Sequence, residues 1–227
     1  MTPPHKRLDE MASNTGSVVP VEDTAEKVAK EVFLLIRKYG NVPYIGSRLT
    51  QEDHAIQCAM LARQQGYSEE VIIGALLHDI DHMVGVDQDL EPMVTHELVL
   101  GSQDHEIVGE QFLKELGFPD SVTSIVRGHV TVKRYLVFKY PAYFYGLSES
   151  SHMHFDGQGG PMSKSEAEDF ERHPLFEIFL KMREWDVTAE VRFIKDMDDL
   201  HVYEEMCRRV LVKHMRNDKT KEVDFQK

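Results

Sequence analysis

An all-α domain is what the sequence predicts, and three observations carry that expectation. Apolar residues recur at spacings of three and four, as in Val28, Val32, Leu35 and Ile36, the signature of an amphipathic helix. Helix-start signals stand before such runs: Ser163-Lys164-Ser165-Glu166 is a capping box, and Thr50-Gln51-Glu52-Asp53 resembles one with Asp in place of Glu. No stretch alternates apolar and polar residues as a strand would, and no internal repeat occurs.

The elements follow in order. Residues Met1 to Pro20 are polar and aperiodic and read as a mobile tail (1–20). Helix is expected from about Asp23 to Gly40, and again from Thr50 to Gly66. Ser68-Glu69-Glu70 caps a third helix whose run VIIGALLHDI is apolar nearly all round, so it should be buried. From Asp81 to about Gln103 the pattern lapses into a loop, long enough to suggest a function. Helices return over Asp104 to Leu116 and Pro119 to about Leu136. The stretch from Phe138 to Pro161 reads as a long aromatic and Gly-rich loop with short helical pieces. Two further helices are expected over Pro174 to Ile194 and Asp198 to His214. The result is a single helical bundle over 21–216 with a charged C-terminal tail, 217–227.

Composition narrows the function. The chain has 227 residues, enough for one large domain with its own core. Its formal net charge of -13 argues against nucleic acid or an anionic membrane as partner, since both need a basic surface. No apolar run approaches a membrane span. Only two cysteines occur, Cys58 and Cys207, both in helix-patterned surroundings. They fit a reducing, cytoplasmic setting, and Cys58 reads as a core cysteine. No protein partner is evident.

Twelve histidines are the unusual number in this composition. His54, His78, His105 and His129 lie in or beside apolar helical stretches, as do Asp79 and Asp186. Any one of them alone reads equally well as a hydrogen-bonded core or surface residue. The pair His78-Asp79 ends the run IIGALL, where burying both without compensation would be costly. A metal ion provides that compensation, since imidazole and carboxylate ligands suit iron, manganese and zinc. Neighbouring helix positions point about 100° apart, which suggests a carboxylate lying between two metals while its neighbour binds one.

The order His54, His78-Asp79, His105, His129, Asp186 resembles the HD-domain superfamily, in its six-ligand dinuclear branch. Within it, EDHAIQCA, ALLHDIDH, HEIVGEQFLKELGF, GHVTVKRYL, LSESS, QGGPMS and REWD resemble the mixed-valent diiron oxygenases that cleave the carbon–phosphorus bond of 1-hydroxyphosphonates. The likeness runs from about Asn41 to Asp186. It implies two iron ions, Fe(II)/Fe(III), held by His54, His78, Asp79, His105, His129 and Asp186, with Asp79 bridging and O2 as co-substrate. It implies that His82, Lys133, Ser151 and Arg183 bind the phosphonate of a small-molecule substrate. Lys133 follows His129 by four and Arg183 precedes Asp186 by three, so each cation lies one helical turn from an expected ligand. Ordinary helix-surface charge is the plainer reading of both.

Tyr44 matches a tyrosine that, in the resembling enzymes, occupies an open iron position until substrate displaces it. Their motif reads Tyr-Ile-Gly-Glu, whereas this chain has Tyr44-Ile45-Gly46-Ser47. That glutamate helps those enzymes recognise a primary ammonium. A quaternary ammonium has no N–H to donate and would rest on aromatic faces through cation–π contact. Tyr135, Phe138, Tyr140, Tyr143, Phe144, Tyr145 and Trp185 offer such faces, though core packing accounts for most of them. Ser47 therefore points to the branch that turns (R)-1-hydroxy-2-(trimethylammonio)ethylphosphonate into glycine betaine and phosphate. The same chemistry on (R)-2-amino-1-hydroxyethylphosphonate, a metal-dependent phosphohydrolase, and a non-catalytic nucleotide-binding module are the alternatives.

Overall fold

The structure, a computed structural model, describes residues 19–44, 49–88, 93–95, 98–100, 105–148, 151–152, 155, 157–191 and 194–224. Helix α1, Val21–Tyr39, buries Ala25, Ala29, Val32, Phe33 and Ile36 on one face. Full burial of each larger side chain contributes roughly 1.5–3 kcal/mol. Helix α2, Gln51–Gln64, opens on the expected capping box: Thr50 Oγ1 accepts from the Asp53 amide, and the Thr50 amide donates to Asp53 Oδ2, both at 3.1 Å. Gly66, at φ 78°, ends this segment in the left-handed region that favours glycine.

Helix α3, Glu69–Leu76, corrects the sequence expectation. The apolar run does not continue as one helix. Leu77 to Asp79 form a turn, and a new helix, α4, runs Ile80–Asp87. A continuing helix would pair the Ala75 carbonyl with the Asp79 amide. Here that carbonyl accepts from His78 Nδ1 at 2.9 Å instead, so the imidazole competes directly with helix propagation.

Helix α4 occupies the start of what the sequence offered as a loop. It is followed by an antiparallel hairpin, β1 Met93–Thr95 and β2 Leu98–Leu100, with Thr95 opposite Leu98. Three-residue strands are too short to display an alternation in the sequence. Helices α5, His105–Glu115, and α6, Asp120–Lys139, follow. A 3₁₀ helix, Pro141–Gly146, then takes up part of the aromatic stretch. Residues 149–150, 153–154 and 156 lie outside the described ones. The chain closes with α7, Lys164–Glu171, on its expected capping box, α8, Phe176–Val191, and α9, Leu200–Asp224, which runs past the expected end at His214.

These helices pack as one bundle. Helix α3 lies at its centre, against α2, α6 and α9; α8 packs on α2 and α6, and α9 also covers α1. The core is built around Phe33, Ile73, Leu77, Ile125, Met182, Trp185, Tyr203 and Leu211, all nearly inaccessible to solvent. A second apolar cluster, Val132, Tyr135, Met162, Ala167, Phe170 and Phe179, props the C-terminal half of α6 against α7 and α8. Thus α2, the α3–α4 turn, α6 and α8 converge on one point, and each brings a polar residue to it. No helix among the described residues is long and apolar enough to cross a membrane.

Candidate metal centre

His54 projects from α2, where it is wholly buried. His78 and Asp79 come from the α3–α4 turn. That turn, not a helix, is why both neighbouring side chains reach the same centre: His78 Nε2 lies 3.2 Å from Asp79 Oδ2. The two imidazoles meet with His54 Nε2 3.3 Å from His78 Nε2. Asp186, from α8, places Oδ1 3.3 Å from His54 Nε2 and 3.9 Å from His78 Nε2. Asp79 Oδ2 also lies 3.8 Å from His54 Nε2. Its other oxygen, Oδ1, points to His129 Nε2 on α6 at 3.3 Å. The Asp79 carboxylate is therefore divided between two sets of nitrogens.

Each of these positions has a local cause. His78 Nδ1 donates to Ala75 O at 2.9 Å and His129 Nδ1 to Val126 O at 2.6 Å. With Nδ1 protonated, each ring aims an Nε2 lone pair into the centre, the second bond that orients a metal-binding histidine. Asp186 is held by Arg183, one turn earlier, whose Nη1 lies 2.5 Å from Oδ2. Its other oxygen, Oδ1, is buried with no hydrogen-bond partner among the described residues, as is His54 Nδ1. Buried polar atoms are rarely orphaned without reason.

The donor set fits a metal ion. At metal–ligand distances of about 2.0–2.2 Å, adjacent ligands stand about 3.0 Å apart in an octahedron and about 3.4 Å apart in a tetrahedron. The His54–His78, His78–Asp79 and His54–Asp186 separations, 3.3, 3.2 and 3.3 Å, fall in that range. Cys58, one turn after His54 and fully buried, belongs to the same group, with Sγ 3.7 Å from His54 Nε2. Burial and the charge of Asp186 push its thiol well up, consistent with a protonated core cysteine.

Electrostatics agree with the geometry. Burial opposes ionisation of Asp79, but His78, His129 and His82 together hold the carboxyl well below the usual carboxylate range. Burial likewise opposes the charge on Asp186, and Arg183, His54 and His78 together overcome it. His78 is opposed by burial yet pushed up to about 9 by Asp79. A metal ion binding there must displace that proton. Burial lowers His129 to about 4, which keeps it a neutral donor.

A basic pocket adjoins the carboxylates. Arg183 is 6% exposed and spreads its fork over three groups: Nε to Tyr143 Oη at 2.9 Å, Nη1 to Asp186, and Nη2 to Ser151 Oγ at 3.4 Å. Lys133, one turn beyond His129, is buried and makes no hydrogen bond or ion pair among the described residues. Burial, with Arg183 adding to it, lowers its ammonium to about 8. His82 is half-buried on α4, near enough to Asp79 to help keep it ionised. Tyr44 stacks on His54, ring centroids 4.0 Å apart, and its hydroxyl lies 3.4 Å from Asp79 Oδ2. Burial and Asp79 push its phenol well up.

The structure thus brings together His54, His78, Asp79, His129, Asp186, Tyr44, Lys133, Arg183 and Ser151. Ser47 and the side chain of His105 lie outside the described residues. Sequence reasoning missed Tyr143 as the anchor of Arg183. Trp185 is core, edge-on to Tyr67 at 5.0 Å, and Tyr135 packs on Phe170 and Phe176. Tyr140 and Tyr145 are exposed.

A buried histidine and aspartate cluster shared by the helices of one bundle is the mark of a metal-binding helical domain, and the HD domain family model matches residues 52–203. The chain belongs to the HD-domain family. Among its relatives, a [1-hydroxy-2-(trimethylamino)ethyl]phosphonate dioxygenase (glycine-betaine-forming) of Leisingera caerulea is 36% identical, over 78% of this chain and 86% of that protein. A hydroxymethylphosphonate dioxygenase of Gimesia maris is 33% identical, over 84% of this chain and 92% of that one. A protein of Acanthamoeba polyphaga mimivirus, named only as uncharacterized, is 37% identical over 72% of this chain and 74% of its own length.

Proposed function

We propose that this protein is a diiron oxygenase that cleaves the carbon–phosphorus bond of (R)-1-hydroxy-2-(trimethylammonio)ethylphosphonate, giving glycine betaine and phosphate. One observation carries the reading. A buried carboxylate, Asp79, divides its two oxygens between His78 and His129 beside a buried lysine that no described residue pairs. A bridging carboxylate suits two metal ions, and an unpaired buried ammonium suits a phosphonate. The two relatives named as phosphonate dioxygenases support the same reaction class.

In this reading His54, His78 and Asp186 would hold one iron and His129 the other, with Asp79 shared and His105 completing the set. The irons would supply dioxygen activation and the electron transfers of the reaction. The chain itself contributes binding and orientation. Lys133 and Arg183 neutralise the phosphonate, and the Ser151 hydroxyl and His82 fix its remaining oxygens. Tyr143 and Asp186 hold the Arg183 guanidinium in place. Tyr44, stacked on His54 with its hydroxyl toward Asp79, covers the centre until substrate displaces it. Both atoms of one O2 balance the products, one new oxygen on the carboxylate carbon and one on phosphorus.

The test is phosphate release and oxygen uptake by the iron-containing protein with three substrates: the trimethylammonio, 2-amino and unsubstituted hydroxymethyl phosphonates. The expected result is oxygen-dependent release, fastest with the trimethylammonio compound, from a protein carrying a mixed-valent paramagnetic iron signal. A strong preference for the primary amine overturns the substrate assignment. Phosphate release that persists without oxygen overturns the oxygenase in favour of a hydrolase.

A further inference from the structure

We infer that Glu190 is the anionic partner of a cationic substituent on the substrate and sets the preference for a charged over an uncharged phosphonate. The inference rests on the phosphonate reading above and deepens it. Glu190 stands one turn after Asp186 on α8, so it extends the same helix face that Arg183 and Asp186 present to the centre. It is part-buried, and its one hydrogen bond among the described residues, from Ser148 Oγ to Oε1, is long at 3.5 Å. No described residue forms an ion pair with it. Arg183, whose charge acts on Glu190, directs hydrogen bonds to Tyr143, Asp186 and Ser151 and none to Glu190.

Arg183 offsets the burial of this carboxylate only in part, so a further cation beside it is favourable. Burial, then the charge of Asp186, pushes Glu190 up to about 7, and an adjacent positive charge would reverse that. Ser148, which bonds to it, accepts through the same Oγ from the amide of Ser151 at 3.3 Å, so Glu190 adjoins the phosphonate pocket. The phosphonate end of the ligand is assigned to Lys133 and Arg183. The opposite end, with its nitrogen three bonds from phosphorus, is where a substituent cation would meet Glu190. Charge attraction acts at longer range than a hydrogen bond, so it adds to any aromatic contact with a quaternary ammonium.

The decisive comparison is calorimetric binding of two non-hydroxylated ligands to the as-isolated protein. They are (2-trimethylammonioethyl)phosphonate and its neutral isostere (3,3-dimethylbutyl)phosphonate, which differ only in nitrogen for carbon. Wild type is expected to bind the cation at least about tenfold tighter, a difference of about 1.4 kcal/mol. In Glu190→Gln that preference should fall below about twofold, with Glu190→Asp restoring part of it. Thermal unfolding of each variant checks that the bundle is intact. Equal affinity of wild type for both ligands, a preference kept in Glu190→Gln, or equal weakening of both ligands would each overturn the assignment. Because binding is read without turnover, a protein that binds these ligands yet cleaves no phosphonate refutes the proposed reaction while still deciding the role of Glu190.

Discussion

Arg183 holds Asp186 by one carboxylate oxygen, Oδ2 at 2.5 Å, and leaves the other, Oδ1, buried 3.3 Å from His54 Nε2 with no hydrogen bond among the described residues. The same guanidinium reaches Ser151 at 3.4 Å and Tyr143 at 2.9 Å. In the proposed reading it would link the metal centre to the anion pocket, and a single residue change would separate the two.

Arg183→Lys keeps the charge but loses the planar fork. It is expected to lower kcat/KM for the phosphonate by roughly 30-fold or more, about 2 kcal/mol of transition-state stabilisation, while bound iron changes little. Steady-state phosphate release and metal analysis of the same preparation check this. Unchanged kcat/KM would remove Arg183 from the anion site.

Asp79 and His129 are expected to differ in their effect on metal content. If Asp79 serves two ions, Asp79→Asn should lower iron from about two per chain to well below one, whereas His129→Ala should retain about one. Chelation should lower the wild-type Tm, because a ligand bound only to the folded state stabilises it, and should leave that of Asp79→Asn nearly unchanged. Equal loss of iron in the two variants would count against a shared carboxylate.

Lys133 titrates at about 8 in the fold against 10.5 for an ordinary lysine. The unfolded chain therefore binds more protons between those values, so the folded state gains stability as pH rises from about 8 to 10.5. Below about 8 the buried charge costs stability in full. Lys133→Met should accordingly raise stability at pH 7 by roughly 1–3 kcal/mol while abolishing turnover. In the free enzyme, kcat/KM should fall as pH passes above about 8, when the ammonium that meets the phosphonate is lost. Lys133→Arg should shift or remove that break. A pH–rate profile and denaturant unfolding measure the two effects separately.

Gly128 immediately precedes His129, and a Cβ there would stand 2.4 Å from the Phe179 ring. Helices α6 and α8 approach closely at this point, and the aromatic ring has little room to yield. Gly128→Ala should destabilise the protein by about 1–3 kcal/mol through overpacking. Because His129 and Asp186 ride on these two helices, it should also weaken iron retention. Thermal unfolding with and without chelator reports both, and an unchanged Tm would refute the close approach.

Much of the bundle is written in local sequence. The Thr50 and Ser163 capping boxes, the amphipathic face of α1 and the left-handed Gly66 act within a few residues, so periodicity and cap chemistry suffice to place them. The α3–α4 break is different. An uninterrupted apolar run predicts a continuous helix, and only the competition of His78 for the Ala75 carbonyl, at a centre shared with α2, α6 and α8, ends it. The three-residue strands of the hairpin leave no pattern long enough to read.

The site divides in the same way. By itself the sequence determined the order of the histidines and aspartates and the one-turn spacings that put Lys133 beside His129 and Arg183 beside Asp186, because helix geometry converts spacing into a shared face. Tertiary structure alone decided that the α3–α4 turn aims His78 and Asp79 at one point, that Asp79 divides its oxygens, and that Tyr143 orients Arg183. Contacts between residues tens of positions apart depend on how helices cross, and no local pattern encodes a crossing.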